Sequence, residues 1–298
     1  MVAAVVKALR ERLVPWYEVN KRDLPWRHTS DPYKLVAAEL MLQQTGVDRI
    51  APRWVRFVEK FPSWQAIAAA TPGDVIREWQ GLGYNRRAVS LHRMATAVVE
   101  QYGGVLPADR AELLKLPGVG PYTANAILSF VHGQDVAAID VNLRRVIGRL
   151  AFGDADAPMK DVEAVAAEAV APERSGDWNQ ALMDFAALKC TLRRPGCLLC
   201  PLRDVCVAAG GDAVAYSRPA RMAAERRVGY LRSTRYQRGK VVDLLRQLPA
   251  GGSLTAAEVE TALLADPDAG DIELEPLLTG LVRDGLVERS EGGRYQLP

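Results

Sequence analysis

The placement of the cysteines constrains this chain more than any other feature of its sequence. All four cysteines of the 298-residue chain fall in one short stretch, with gaps of six, two and five residues: Cys190, Cys197, Cys200 and Cys206. Pro195, Gly196 and Pro201 favour tight turns between them, so the four thiolates can converge on one centre. Four thiolates without a nearby histidine suit either a tetrahedral zinc ion or an iron–sulfur cluster.

Disulfide bonds are the alternative interpretation of the same cysteines. A chain of 298 residues with 49% hydrophobic residues can bury a core without such cross-links, and nothing in it resembles a secretory signal. The cysteine pattern therefore favours a metal centre in a reducing compartment, and we expect a soluble cytoplasmic protein. No apolar run is long enough to span a bilayer, so we expect no membrane partner.

The distribution of charge is more informative than the net charge of +2. Residues 217–240 hold eight Arg or Lys against one Glu, whereas residues 241–298 hold four Arg against eleven Asp or Glu. The basic segment suits contact with a phosphate backbone, or it is a solvated tether. The acidic segment would oppose a DNA contact, so we expect it to pack or to bind protein rather than to read bases.

Helical periodicity dominates the first 210 residues and predicts an all-α core. The predicted helices are Val2–Asn20, Tyr33–Thr45, Trp54–Phe61, Trp64–Ala70, Pro72–Gln80, Arg86–Tyr102, Asp109–Leu116, Tyr122–Val131, Asp140–Leu150, Lys160–Val170 and Trp178–Leu188. We divide the chain into a core at 1–210, a basic linker at 211–235 and a small unit at 236–298. Three helices and two short strands around Gly292–Gly293 give that last unit a winged-helix order.

The segment LPGVGPYTA, at Leu116–Ala124, joins two predicted helices. Gly118 and Gly120 free this turn to adopt positive φ and to expose backbone N–H groups at the start of the next helix. Such a turn can bind one DNA phosphate. The alternative is a plain helical hairpin.

Two carboxylates are candidates for chemistry. Glu39 has apolar neighbours all around its predicted helix, and burial of a Glu raises its pKa and makes it a general acid. The alternative is a Glu that reaches solvent or pairs with Arg27. Asp140 precedes a predicted helix, where Asp is a good N-cap, and a carboxylate fixed there can stabilise positive charge on a sugar.

Several motifs together resemble the adenine DNA glycosylase family, whose members have an endonuclease III-like, helix-hairpin-helix core. The motifs are AAELMLQQTGV, GLGY, LPGVGPYTANAI, AIDVN and NQALMDFAALKC, over about Leu24–Cys206. The cysteine spacing is similar to the [4Fe-4S] motif that closes the core of such glycosylases. The resemblance implies a structural [4Fe-4S] cluster held by the four cysteines.

The resemblance also implies roles for four catalytic residues. Glu39 would protonate N7 of a flipped adenine and then help to activate water. Asp140 would stabilise the cationic sugar, and Asn142 would support the catalytic water. Tyr122 stands where bifunctional relatives carry a nucleophilic lysine, so the enzyme would hydrolyse the glycosidic bond without a lyase step.

The implied partner is double-stranded DNA that holds a mispair of adenine with guanine or 8-oxoguanine, bound by a monomer associated with the nucleoid. The residues implied to contact DNA are Arg27, Gln44, Tyr84, Gly118, Gly120, Arg193 and Arg194. Gln44 would wedge into the duplex near the opposing base, and Arg27 would lie near the adenine pocket.

This chain departs from the family pattern in three places. Gly46 stands where the family usually has Gln, and Asn85 replaces an aromatic residue beside the opposing base. Nothing after residue 210 resembles the NUDIX-like domain that checks for 8-oxoguanine in the family. Recognition of the oxidised base is therefore left open by the sequence.

Two other functions are compatible with parts of this pattern. A thymine or uracil:G mismatch glycosylase of the same fold also pairs a loop Tyr with an Asp and lacks the NUDIX-like domain, but Gln44 and Glu39 argue against it. A non-catalytic iron–sulfur DNA-binding protein would need none of Glu39, Tyr122 and Asp140.

Overall fold

The computed structural model describes residues 1–209 and 230–298. Contacts between Cα atoms divide these residues into a first unit of 1–39 and 107–209, and a second unit of 40–106 and 230–298. The boundaries at 210/211 and 235/236 remain predictions. Most of the expected basic linker, including Arg226 and Arg227, lies outside the described residues.

Helices make up most of the described chain, which confirms the expected all-α class. They are α1 (Val2–Asn20), α2 (Pro32–Leu42), α3 (Val47–Lys60), α4 (Trp64–Ala69), α5 (Pro72–Glu78), α6 (Arg86–Tyr102), α7 (Arg110–Lys115), α8 (Pro121–Phe130), α9 (Val141–Phe152), α10 (Met159–Ala169), α11 (Ser175–Leu188), α12 (Thr234–Gln247), α13 (Ala256–Leu264) and α14 (Leu274–Arg283). None of the described helices is long and apolar enough to cross a membrane.

The core of the first unit forms where α1 packs against α9, α10 and α11. Leu9, Ile147 and Trp178 are fully buried there. The indole N–H of Trp178 donates to the carbonyl oxygen of Leu9 at 3.2 Å, which satisfies its only polar atom. This packing fixes the start of α9 and the end of α11, where the candidate carboxylate Asp140 and the first cysteine lie.

The second unit combines α3–α6 with α12–α14 and a small antiparallel sheet. Phe57 and Trp79 meet edge to face in its core, with ring centroids 5.8 Å apart. The strands β1 (Ser253–Leu254), β2 (Glu288–Arg289) and β3 (Tyr295–Gln296) have the order β1-β3-β2. The predicted terminal hairpin is confirmed, and β1 is an additional strand whose two residues are too few to show alternation.

One predicted helix boundary is wrong by almost two turns. The helix predicted at Trp54–Phe61 begins at Val47 and contains Pro52. A proline inside a helix removes one backbone hydrogen bond and usually marks a boundary. Here the strongly amphipathic face, with Ile50, Trp54 and Phe57 buried, maintains the helix through it.

Candidate functional site

Glu39 and Tyr122 form the centre of the candidate site in the first unit. Glu39 lies on α2 between fully buried apolar neighbours, and the Tyr122 hydroxyl on α8 donates to its Oε2 at 3.2 Å. Desolvation by burial raises the pKa of Glu39 from 4.5 to about 7, although the bond from Tyr122 opposes this rise. The negative charge of Asp140 adds to it. The carboxyl is therefore poised to hold a proton near neutral pH.

The side chain of Asp140 caps the start of α9. Its Oδ1 accepts from the backbone N–H groups of Asn142 and Leu143, both at 2.8 Å, which confirms the predicted N-cap. Its Oδ2 accepts from the side-chain amide of Asn142 at 2.8 Å. Three donors and the positive end of a helix dipole stabilise this negative charge.

Tyr122 remains a neutral phenol in this setting. Burial raises its pKa well above 10, and the nearby carboxylates of Glu39 and Asp140 raise it further. Tyr122 therefore acts here as a hydrogen-bond donor and offers no amine.

Arg145, which no motif in the sequence indicated, supports the exposed Asn142. Arg145 is 7% exposed and donates to the side-chain oxygen of Asn142 at 2.9 Å. It also donates to the carbonyl oxygens of Ala186 and Cys190. Its side chain thereby joins the Asp140 loop to the beginning of the cysteine segment.

The glycine-rich turn lies directly before α8, as expected. Only one of its two glycines has the expected backbone conformation. Gly118 adopts a positive φ of 84°, as predicted. The expectation for Gly120 is wrong, because its φ is −98°, a value that any residue can adopt. Nothing lies within 4 Å of a Cβ built on Gly120, so the space in front of this helix N-terminus is open.

All four cysteines are free thiols and line one cavity in the first unit. Burial raises the pKa of Cys200 and of Cys206, and the negative charges of the other cysteines raise both further. Four thiolates this close repel one another, so a cationic group must lie between them for all four to ionise. No disulfide joins them in this structure.

Four cysteines that line one cavity are a donor set that suits an iron–sulfur cluster or a metal ion. In residues 1–209 and 230–298, no three His, Cys, Asp or Glu side chains are placed to hold one metal ion. Arg149 donates to Cys190 Sγ at 3.6 Å, a contact that stabilises a thiolate.

Gln44 and Tyr84 line one cavity in the second unit. Their φ angles are 57° and 47°, so both adopt the left-handed region that non-glycine residues rarely occupy. Such strained positions persist where the surroundings impose them, and they cluster at binding sites.

Arg87, which no motif in the sequence indicated, contacts the backbone directly before both of these residues. Its guanidinium is 7% exposed and donates to the carbonyl oxygens of Gln43 at 2.5 Å and of Gly83 at 3.1 Å, directly before Gln44 and Tyr84. Burial lowers the pKa of Arg87 to about 10. Its other acceptors are the oxygens of Leu40, Met41, Thr45 and Leu82.

Arg27 binds a protein carboxylate, whereas the two arginines of the cysteine loop are exposed. Arg27 donates to both oxygens of the fully buried Asp184, at 2.8 and 2.9 Å, and not to Glu39. Burial would raise the pKa of Asp184, but the hydrogen bonds from Arg27 and Arg22 lower it below its ordinary value. Arg193 and Arg194 lie on the surface, where they are available to phosphate.

Comparison with known proteins places these features in a family. The model of the HhH-GPD superfamily base excision DNA repair protein matches residues 37–172. The adenine DNA glycosylase of Mycolicibacterium smegmatis is 38% identical over 288 residues, which cover 96% of this chain and 94% of that protein. The adenine DNA glycosylase of Homo sapiens is 38% identical over 216 residues, which cover 68% of this chain and 40% of that protein.

Solved structures give the same relationship at the level of the fold. A thermostable thymine-DNA glycosylase matches with a TM-score of 0.65 and 30% identity, covering 68% of this chain and 96% of that one. An endonuclease III–DNA complex matches with a TM-score of 0.61 and 24% identity, covering 70% of this chain and 96% of that one. The identity across nearly the full length of the mycobacterial protein agrees with the motifs, and this chain belongs to the adenine DNA glycosylase family.

Proposed function

We propose that this chain hydrolyses the N-glycosidic bond of adenine mispaired with guanine or 8-oxoguanine in double-stranded DNA. The observation that carries the proposal is the Glu39 carboxyl, which burial holds partly protonated near neutral pH and Tyr122 hydrogen-bonds at 3.2 Å. A neutral carboxylic acid in a desolvated site is the proton donor that a purine leaving group requires.

In the proposed mechanism the target adenine is first flipped out of the duplex, since its glycosidic bond is not accessible in the stack. Glu39 donates its proton to N7, which makes adenine a neutral leaving group. The Asp140 carboxylate, fixed by its three N–H donors, stabilises the positive charge that develops on the sugar. Glu39, now ionised, accepts a proton from the attacking water, and Asn142 orients that water.

The chemistry ends at hydrolysis. A lyase step through a Schiff base needs an amine at the reacting sugar, and the position next to Glu39 holds the phenol of Tyr122. We therefore infer a monofunctional glycosylase.

The four cysteines would hold a [4Fe-4S] cluster, which supplies a fixed structural centre. Cys190, Cys197, Cys200 and Cys206 line one cavity, and the loop between the first two carries the exposed Arg193 and Arg194. A cluster that orders this loop would present both guanidinium groups to DNA phosphate. The open N-terminus of α8 would bind a second phosphate. The enzyme would act as a monomer on cytoplasmic, nucleoid-associated DNA.

A second candidate function is excision of thymine or uracil opposite guanine. The likeness to the thermostable thymine-DNA glycosylase structure favours it. A pyrimidine leaving group has no N7 to protonate, so the raised pKa of Glu39 argues for adenine.

The Glu39→Gln variant tests the proposal on a duplex with an A:G mispair under single-turnover conditions. Gln keeps the shape and the acceptor for Tyr122 but has no proton to donate, so the excision rate should fall by at least about 10²-fold. The affinity for the mispaired duplex should be retained. The matched control is Glu11→Gln, which changes an exposed residue of α1 and should leave the rate unchanged. Near-normal adenine excision by Glu39→Gln would refute the proposed acid.

A further inference from the structure

The ring of Tyr84 lies close to two guanidinium groups that come from separate segments of the second unit. The Cζ atom of Arg87, on α6, is 5.4 Å from the centroid of the ring. The Cζ atom of Arg235, on α12, is 3.7 Å from the same centroid. Both distances are within the range of an attractive cation–π contact, so both side chains restrict the ring.

The position of Arg235 follows from a contact between α12 and the turn that carries Tyr84. Arg246, whose side chain is 4% exposed, donates to Asn85 Oδ1 and to the carbonyl oxygen of Ile76, both at 2.9 Å. Asn85 is the residue that stands where the family usually has an aromatic side chain. In this chain it accepts a hydrogen bond from α12, and the first turn of the same helix carries Arg235 over Tyr84.

Tyr84, Asn85, Arg87 and Arg235 line an open cavity of about 480 Å³. Gln44, Tyr84, Tyr230 and Arg235 all contribute to its lining. The cavity combines aromatic rings, a carboxamide and guanidinium N–H donors. Aromatic rings stack with a base, and an arginine donates to the O6 and N7 acceptors of guanine, whereas 8-oxoguanine has a hydrogen on N7 and offers O6 and O8 as acceptors.

We propose that Arg87 and Arg235 form a clamp that presets Tyr84 and Gln44, and that α12, through Arg235, helps to select the base opposite the excised adenine. This inference rests on the proposed function. Arg87 is a positioning residue, because it acts through the backbone before Gln44 and Tyr84. Arg235 is a specificity-determining residue, because it lines the cavity that takes the opposing base.

The clamp refines the expectation from charge that the C-terminal unit does not read bases. The acidic stretch begins at residue 241, whereas Arg235 belongs to the basic stretch at 217–240. The basic residues that precede the acidic unit would supply the contact, and the acidic residues themselves would not need to approach DNA.

The test compares the full chain with the variants Arg235→Ala and Arg87→Lys under single-turnover conditions. The duplexes hold adenine opposite 8-oxoguanine, opposite guanine and opposite an abasic site. We expect Arg235→Ala to change the ratio of the first two rates about tenfold, which corresponds to about 1.4 kcal/mol. The loss opposite the abasic site should be smaller, since no base is present to be selected. Arg283→Ala is the matched control: it removes an exposed arginine of α14 and should leave the ratio unchanged.

Arg87→Lys should change the same ratio and also weaken binding to both mispaired duplexes, because an ammonium group cannot reproduce the planar fork that holds the two turns. If the Arg87→Lys variant does not fold, Arg235→Ala still tests the clamp, because Arg235 is exposed and its loss should not prevent folding. A ratio for Arg235→Ala equal to that of Arg283→Ala, or equal losses on all three duplexes, would overturn the clamp. A wild-type chain that excises no adenine would instead refute the proposed function.

Discussion

The Glu39→Gln substitution should stabilise the folded protein above neutral pH while it removes the proton donor. The folded chain holds the Glu39 proton to higher pH than the unfolded chain, because burial raises its pKa from 4.5 to about 7. The stability that the neutral carboxyl gives is present below 4.5 and is lost as the pH rises through about 7. Since one pKa unit corresponds to about 1.4 kcal/mol, the ionised carboxyl costs roughly 3 kcal/mol of folding free energy.

The assay is thermal unfolding of both proteins, followed by circular dichroism, at about pH 5 and about pH 8.5. The amide of Gln stays neutral at both pH values. The gain in unfolding free energy from Glu39→Gln should therefore be larger at the higher pH than at the lower one, by roughly 2 kcal/mol. Each kcal/mol should raise the unfolding midpoint by about 2–4 °C. Glu11→Gln, on the exposed face of α1, should show no such growth. If Glu39→Gln gives no gain in stability, or the same gain at both pH values, then ionisation of Glu39 does not destabilise the folded protein and the reasoning is refuted.

Three further predictions address the other parts of the site. Asp140→Asn should lower the single-turnover excision rate by about 10²–10³-fold and retain affinity for the mispair, because it removes the charge that stabilises the cationic sugar. Cys197→Ser should abolish the brown colour and lower the iron content from about four atoms per chain, and a colourless wild type prepared anaerobically with stoichiometric zinc would contradict the cluster. Borohydride should trap no covalent complex of the wild type with DNA, whereas Tyr122→Lys should be trapped, so efficient trapping of the wild type would show an unrecognised amine.

The sequence predicted those parts of the site whose chemistry is contained in single residues or short motifs. Cysteine spacing indicated a shared centre, the apolar neighbours of Glu39 indicated its raised pKa, and a polar residue before α9 indicated the N-cap at Asp140. Each of these depends on local burial or capping, which periodicity reveals.

The arginines that organise the site were not predictable in the same way. Arg87, Arg145 and Arg246 donate to backbone carbonyl oxygens or to side chains that lie far away in sequence. A carbonyl oxygen carries no residue signature, so such a contact is apparent only after the chain has folded. The expectation of a positive φ at Gly120 was wrong for a related reason. A glycine permits a positive φ but does not require it.

The most direct test of the central claim is single-turnover excision by the full chain on four duplexes, which hold A:8-oxoguanine, A:G, T:G and U:G mispairs. We predict that adenine is released from the first two and that thymine and uracil are retained, because Glu39 donates its proton to N7 of a purine leaving group. Release of thymine or uracil with adenine left in place would contradict it.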